Sequence, residues 1–202
     1  MKKAFIFHGT EDAPHSHWFE RLKRELEKKE CMVHTLQFPG IREESYESWK
    51  GVLLPYIHEI DENTLFIGHS LWACFALSLL SQENLHIHAC YLIWAWWEKF
   101  SEEVIEKQYQ KFVELWYTDD KKYLYHYESF IKNLDFWTIK KHCPVFYIFA
   151  SANDPYIPVE MARNLQEELW AQYFEYPHAG HFCKKDGYKT FEDLKSEIFK
   201  NV

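Results

Sequence analysis

Short apolar runs alternate with amphipathic stretches along most of the chain. Lys3 to His8, Cys31 to Phe38, Thr64 to Gly68, Leu85 to Ile93, Pro144 to Ala150 and Gln172 to Tyr176 have the length and continuity of buried strands. Between them, His17 to Lys29, Ser45 to Ile60, Leu71 to Leu80, Pro158 to Leu169 and Tyr188 to Phe199 carry apolar positions at helical spacing. Ser16 is placed to cap the first of these helices, and Pro55 should bend or restart the second. Strand and helix in strict alternation predict a mainly parallel sheet with helices on both faces, a three-layer α/β/α sandwich.

The stretch from Glu98 to Lys141 breaks the rhythm. It is helical in pattern, mixed in charge and crowded with aromatics, among them Phe100, Tyr109, Phe112, Trp116 and Phe136. It reads as a small helical insertion between two strands, either plain core packing or a lid. The whole of 1–202 is then one domain with 98–141 as the candidate lid.

Composition narrows the class. The chain of 202 residues is 47% hydrophobic and 27% charged, with net charge −8 and no long basic block, which excludes nucleic acid or an anionic membrane as its main partner. The apolar run Ala4-Phe5-Ile6-Phe7 is too short for a signal peptide, and no stretch has the length of a membrane span. Five scattered cysteines with no C-x-x-C spacing fit reduced thiols of a cytoplasmic protein.

The chemistry centres on Gly68-His69-Ser70-Leu71-Trp72. Here a buried strand passes directly into a buried helix with Ser70 at the junction, which requires strained backbone and lifts the hydroxyl clear of the sheet. This is the G-x-S-x-G nucleophile pattern with Trp72 in place of the second glycine. A serine needs a base, and the base a carboxylate. Asp154, in Asn153-Asp154-Pro155, and His181, in Gly180-His181-Phe182, each follow a strand, as Ser70 does. All three therefore reach the carboxyl edge of a parallel sheet, where reactive residues collect. His178 is a rival base, but lies closer to its strand. Backbone N–H groups of Leu71 and of the Gly9/Thr10 turn are the candidate oxyanion donors. The histidine pairs His15/His17, His86/His88 and His178/His181, with Cys183 nearby, lack a structural-zinc ligand set, and His86/His88 is expected to alternate within a strand, so no metal is assigned.

With the His8-Gly9 turn, Trp18 in the first helix, Gly68-His69-Ser70, Asn153-Asp154-Pro155 followed by Ile157-Pro158, and Gly180-His181-Phe182, the chain resembles the α/β-hydrolases. Within them it is similar to the subfamily of retinoblastoma-binding protein 9 and the bacterial YdeN-like serine hydrolases. The resemblance implies Ser70 as nucleophile, Asp154 as acid and His181 as base. It implies hydrolysis of a small ester, thioester or amide with no cofactor; some members are discussed as partner-binding proteins, but the Leu-x-Cys-x-Glu motif is absent here and that role is not carried over. The rival reading is a non-catalytic binding protein whose elbow is blocked by Trp72, because the subfamily has a small residue there.

Two counts are odd together: 6 glycines and 9 tryptophans, against a usual glycine share of about 7%. Trp72, Trp94, Trp96, Trp97, Trp137 and Trp170 fall where turns and close packing would welcome glycine, whereas Trp18 and Trp49 lie in helices. One explanation is a source that reads the codon UGA as glycine; the rival is natural or engineered tryptophan.

Overall fold

A computed structural model describes residues 1–10, 12–40, 43–99, 102, 128–132 and 134–202. Most of the insertion expected over 98–141 lies outside the described residues. Of its described part, Phe136–His142 is a helix capped by Asp135, whose carboxylate accepts the Trp137 N–H.

Six strands form one all-parallel sheet in the order β2-β1-β3-β4-β5-β6. They are β1 Lys3–Phe7, β2 Met32–Thr35, β3 Thr64–His69, β4 Ala89–Ile93, β5 Phe146–Ser151 and β6 Gln172–Tyr176. Among the described residues the α-helices are α1 Phe19–Glu27, α2 Tyr46–Leu53, α3 Leu71–Gln82, α4 Phe136–His142, α5 Val159–Leu169 and α6 Glu192–Phe199. The sequence explains which strands are central. β3, β4 and β5 are buried at every position, as their unbroken apolar runs require, while the mixed sequences of β2 and β6 leave them partly exposed at the edges.

Strand order decides where a site can form. The chain steps from β1 outward to β2, then returns past β1 to β3 and continues one way to β6. Right-handed crossovers therefore put α1 on one face and the helices that follow β2, β3, β4 and β5 on the other. The contacts agree: Trp18, at the start of α1, packs on Phe191, at the start of α6, while Trp49 of α2 packs on Phe75 of α3. The reversal leaves a crevice at the carboxyl ends of β1 and β3, which pair directly with Phe7 opposite Gly68.

Several local expectations shift. Leu85 to His88 does not belong to β4, because its partner β3 starts only at Thr64, so His86 and His88 do not alternate within a strand. β2 stops at Thr35, and the Phe38 N–H turns to the His8 side chain instead of a ladder. Ser16 does not cap α1, which begins at Phe19 with Trp18 as its uncapped N-cap; the Ser16 hydroxyl accepts the Ala13 N–H. The helix expected from Ser45 ends as α2 at Leu53, and a 3-10 turn with Pro55 near its start carries the chain to Glu59. Ser45 and Ser48 close a capping box at the α2 start.

Candidate active site

The turn from β3 into α3 takes place at one residue. Ser70 has φ 60° and ψ −130°, a conformation that costs an L-residue free energy and is held by the buried elements on either side. Its own N–H is bonded to the Ile93 carbonyl of β4. Leu71 is the first residue of α3 and so carries one of the N–H groups a helix leaves free at its start.

The loops after β5 and β6 bring the other two residues to Ser70. His181 Nε2 lies 3.1 Å from Ser70 Oγ, and His181 Nδ1 lies 2.5 Å from Asp154 Oδ2. The Asp154 side chain has no exposed surface. Its second oxygen accepts the N–H groups of Tyr156 and Ile157, so the carboxylate is held by backbone as well as by imidazole. This pairing sets the His181 tautomer: Nδ1–H donates to Asp154, and the Nε2 lone pair faces the serine hydroxyl. The rival His178 has no part in this line.

These loops are locked by side chains to which the sequence assigned no role of their own. Ser151 Oγ donates to Asn153 Oδ1 and accepts the Ala179 N–H, while Asn153 Oδ1 also accepts the Gly180 N–H. Asp186 accepts the N–H groups of His181 and Cys183. Gly180 has φ +56°, and a Cβ there would meet Asp186 Cγ at 2.5 Å, so only glycine fits.

The turn after β1 closes the other side. A Cβ on Gly9 would fall 2.9 Å from Ser70 Cβ, so glycine is what lets this backbone approach the serine. His8 accepts the Phe38 N–H at Nε2, which leaves its proton on Nδ1 for the Gly9 carbonyl, 2.8 Å away. The Asp12 N–H donates to the same carbonyl. In a trans peptide the C=O and N–H point opposite ways. Holding the Gly9 carbonyl therefore also sets the direction of the Thr10 N–H.

Behind the serine sits a buried polar group that the sequence gave little reason to expect. His69 Nε2–H donates to the main-chain carbonyl of His181 at 2.8 Å. Its Nδ1 has no hydrogen-bond partner and lies 3.7 Å from Asp12 Oδ2, too far for a hydrogen bond. His17 Nε2 donates to Asp12 Oδ1 at 2.8 Å, and His17 Nδ1 accepts the Lys184 N–H. Burial alone would raise the Asp12 carboxyl. The His17 bond and the facing imidazoles outweigh it and hold the group well below the usual carboxylate range. Burial lowers the His69 imidazole, with His181 and His17 adding to the effect against Asp12. Ligand-type atoms of Asp12, His17 and His69 lie within 4.8 Å of one another. With its Nδ1 occupied by the Lys184 N–H, however, neutral His17 has no lone pair left for a cation. Of the three, the sequence marked His17 only as half of a histidine pair and His69 only as the neighbour of Ser70; Asp12 carried no signal.

The profile of the serine hydrolase family matches residues 4–200. The chain belongs to the serine hydrolase family. It is similar to YdeN of Bacillus subtilis, 24% identical over 190 residues that cover 94% of this chain and 90% of that one. It is also similar to the serine hydrolase RBBP9 of Rattus norvegicus, 23% identical over 193 residues, covering 94% and 90%. The crystal structure of the ydeN gene product superposes with a TM-score of 0.83 at 21% identity, covering 100% of this chain and 98% of that one. At that identity the superposition shows a shared α/β-hydrolase-like fold. This serine hydrolase has no helix, among its described residues, long and apolar enough to cross a membrane. Its five cysteines are all buried and unpaired, and burial pushes the Cys183 thiol, near the site, up to about 12.

Trp72 departs from the rest. Its ring centroid lies 2.9 Å from that of Phe7 with the planes 13° apart, far inside the ~4.5–7 Å at which aromatic pairs settle. The indole also lies flat on Gly68, where a Cβ would meet Cε3 at 2.6 Å, and its buried Nε1 has no hydrogen-bond partner.

Proposed function

We propose that the chain is a carboxylesterase-like serine hydrolase that cleaves a small ester, thioester or amide through an acyl-enzyme. Ser70 Oγ attacks the carbonyl carbon while His181 Nε2 takes the hydroxyl proton. Asp154 holds the imidazole and stabilises it once charged. The N–H groups of Leu71 and of the Gly9/Thr10 turn hold the oxyanion. His181 then returns the proton to the leaving group, and water repeats the cycle on the acyl-serine. Every group comes from the chain, and the reaction calls for no cofactor. The continuous line Ser70–His181–Asp154, ending on a fully buried carboxylate, is the observation that carries the reading.

The second reading is a binding protein of the same fold, inactive because Trp72 crowds the elbow; the overlap with Phe7 favours it. A fluorophosphonate probe separates the two. Labelling that disappears in Ser70→Ala, with hydrolysis of short p-nitrophenyl esters or acyl thioesters, supports the enzyme. Folded protein that takes no label is the binder.

A further inference from the structure

We infer that residues 72, 94 and 170 are glycine positions, and that the functional form of this hydrolase carries glycine there, the tryptophans arising where codon UGA is read as tryptophan instead of glycine. Three independent observations meet in this. The first is space. At 72 the indole overlaps Phe7 and crowds Gly68, at the point where the chain leaves β3 for α3. Glycine at this point completes the G-x-S-x-G pattern around Ser70.

The second is backbone. Trp94, directly after β4, has φ 60°, and Trp170, the C-cap of α5, has φ 53° and ψ 38°. Helices commonly end on a left-handed residue, usually glycine, because a Cβ is strained there. Trp170 obtains little packing in return: the residue is 81% exposed, and Lys140 lies over its ring. Left-handed backbone at His17, Glu30 and Phe182 shows that φ alone does not mark a glycine. The third observation is the scarcity of glycine beside the excess of tryptophan, which one reassigned codon produces together.

The structure also sorts the tryptophans. Trp18 and Trp49 are buried on backbone of ordinary φ, at the start of α1 and within α2; the Trp49 indole N–H donates to the Pro39 carbonyl, while that of Trp18 has no partner. Trp137 lies within α4, where glycine would weaken the helix. Trp96 and Trp97 have φ outside the left-handed region. These five are not assigned to glycine.

The buried Trp94 ring lies nearly parallel to that of His181, with centroids 6.1 Å apart, and its Nε1–H donates to the Gly180 carbonyl. Glycine at 94 vacates an indole-sized volume against the residue proposed as the base, in position to take part of the substrate.

The gene and the protein both test this. Codons 72, 94 and 170 are expected to be UGA and codons 18 and 49 UGG; UGG at codon 72 overturns the inference. In protein isolated from the source, the mass of the peptide spanning Ser70 reports glycine or tryptophan directly, and neither readout depends on activity. Thermal unfolding supplies an opposite-sign test. Removing a fully buried native tryptophan lowers Tm sharply, whereas Trp72→Gly here is expected to keep or raise it. Trp170→Gly should raise Tm by roughly 2–4 °C and leave probe labelling unchanged. Trp72→Gly should speed fluorophosphonate labelling by about tenfold or more. A marked fall in Tm for Trp72→Gly overturns the inference even if the protein proves to be an active hydrolase.

Discussion

His69 donates a hydrogen bond to the backbone carbonyl of His181 at 2.8 Å, so the residue preceding the proposed nucleophile holds the loop of its proposed base. The two are 112 positions apart in the chain, and their rings meet edge to face at 4.9 Å. His69→Leu removes the N–H donor and leaves the buried carbonyl only the weak Cys183 thiol, 3.4 Å away, an expected cost of about 1–3 kcal/mol. It should lower Tm by several degrees and slow probe labelling about tenfold. His69→Gln, which keeps a donor, should recover much of the labelling rate. Labelling at the parent rate in His69→Leu would remove His69 from the positioning of the base.

His17 ties the turn after β1 to the loop after β6. It donates to Asp12 and accepts from the Lys184 N–H, so His17→Ala releases both ends. We expect labelling to slow about tenfold through displacement of the proposed Gly9/Thr10 oxyanion donors, a loss at the low end of that seen for such groups. Glutamine, with one donor and one acceptor, should restore it. The outcome is read from labelling rates of the three proteins at matched folding, checked by circular dichroism. Equal rates in all three would mean that this bridge does not bear on the site.

Gly180→Ala places a Cβ on left-handed backbone and against Asp186, whose carboxylate accepts the N–H groups of His181 and Cys183. The backbone strain alone is about 1–2 kcal/mol. The variant should unfold several degrees lower and label more slowly, because displacing Asp186 frees the loop that carries His181. A parent-like Tm would show that the loop accommodates the methyl group.

Acid should destabilise the fold early. Burial lowers both His8 and His69, against the Gly9 carbonyl and Asp12 in the first case and against Asp12 in the second. Below about pH 6.5 the unfolded chain takes up protons on these imidazoles that the folded chain does not, so stability falls as pH falls. The depressed Asp12 carboxyl acts in the same direction only below its ordinary value of about 4. Tm measured from about pH 7.5 to 5.5 should decline through this window, and a flat profile would count against neutral buried imidazoles.

Substituting Asp154 by asparagine offers the partner nitrogen an amide in place of a carboxylate, with the wrong tautomer favoured on His181. A loss in turnover of about 10⁴ is expected, with little change in fold. Turnover of short esters by Asp154→Asn within tenfold of the parent would argue for another acid.

How much of this could be read from the chain follows its physics. The central strands β3, β4 and β5 are buried on both faces and so leave unbroken apolar runs, which are visible in the sequence with errors of a few residues at the ends. That Ser70, Asp154 and His181 would meet was legible because a parallel sheet sends the end of every strand to the same edge. Asp12, Ser151, Asn153 and Asp186 were not, because their roles lie in hydrogen bonds to backbone of loops far along the chain, and a polar loop residue looks the same whether or not such a partner exists. Trp72 was legible as a departure from a pattern. Its overlap with Phe7 came only with the sheet assembled, since β1 and α3 meet through packing and share no periodicity. Local sequence determined which segments bury themselves and where the chain must turn. Tertiary structure alone decided which loops those turns bring together, because that depends on the strand order and on contacts between residues over a hundred positions apart.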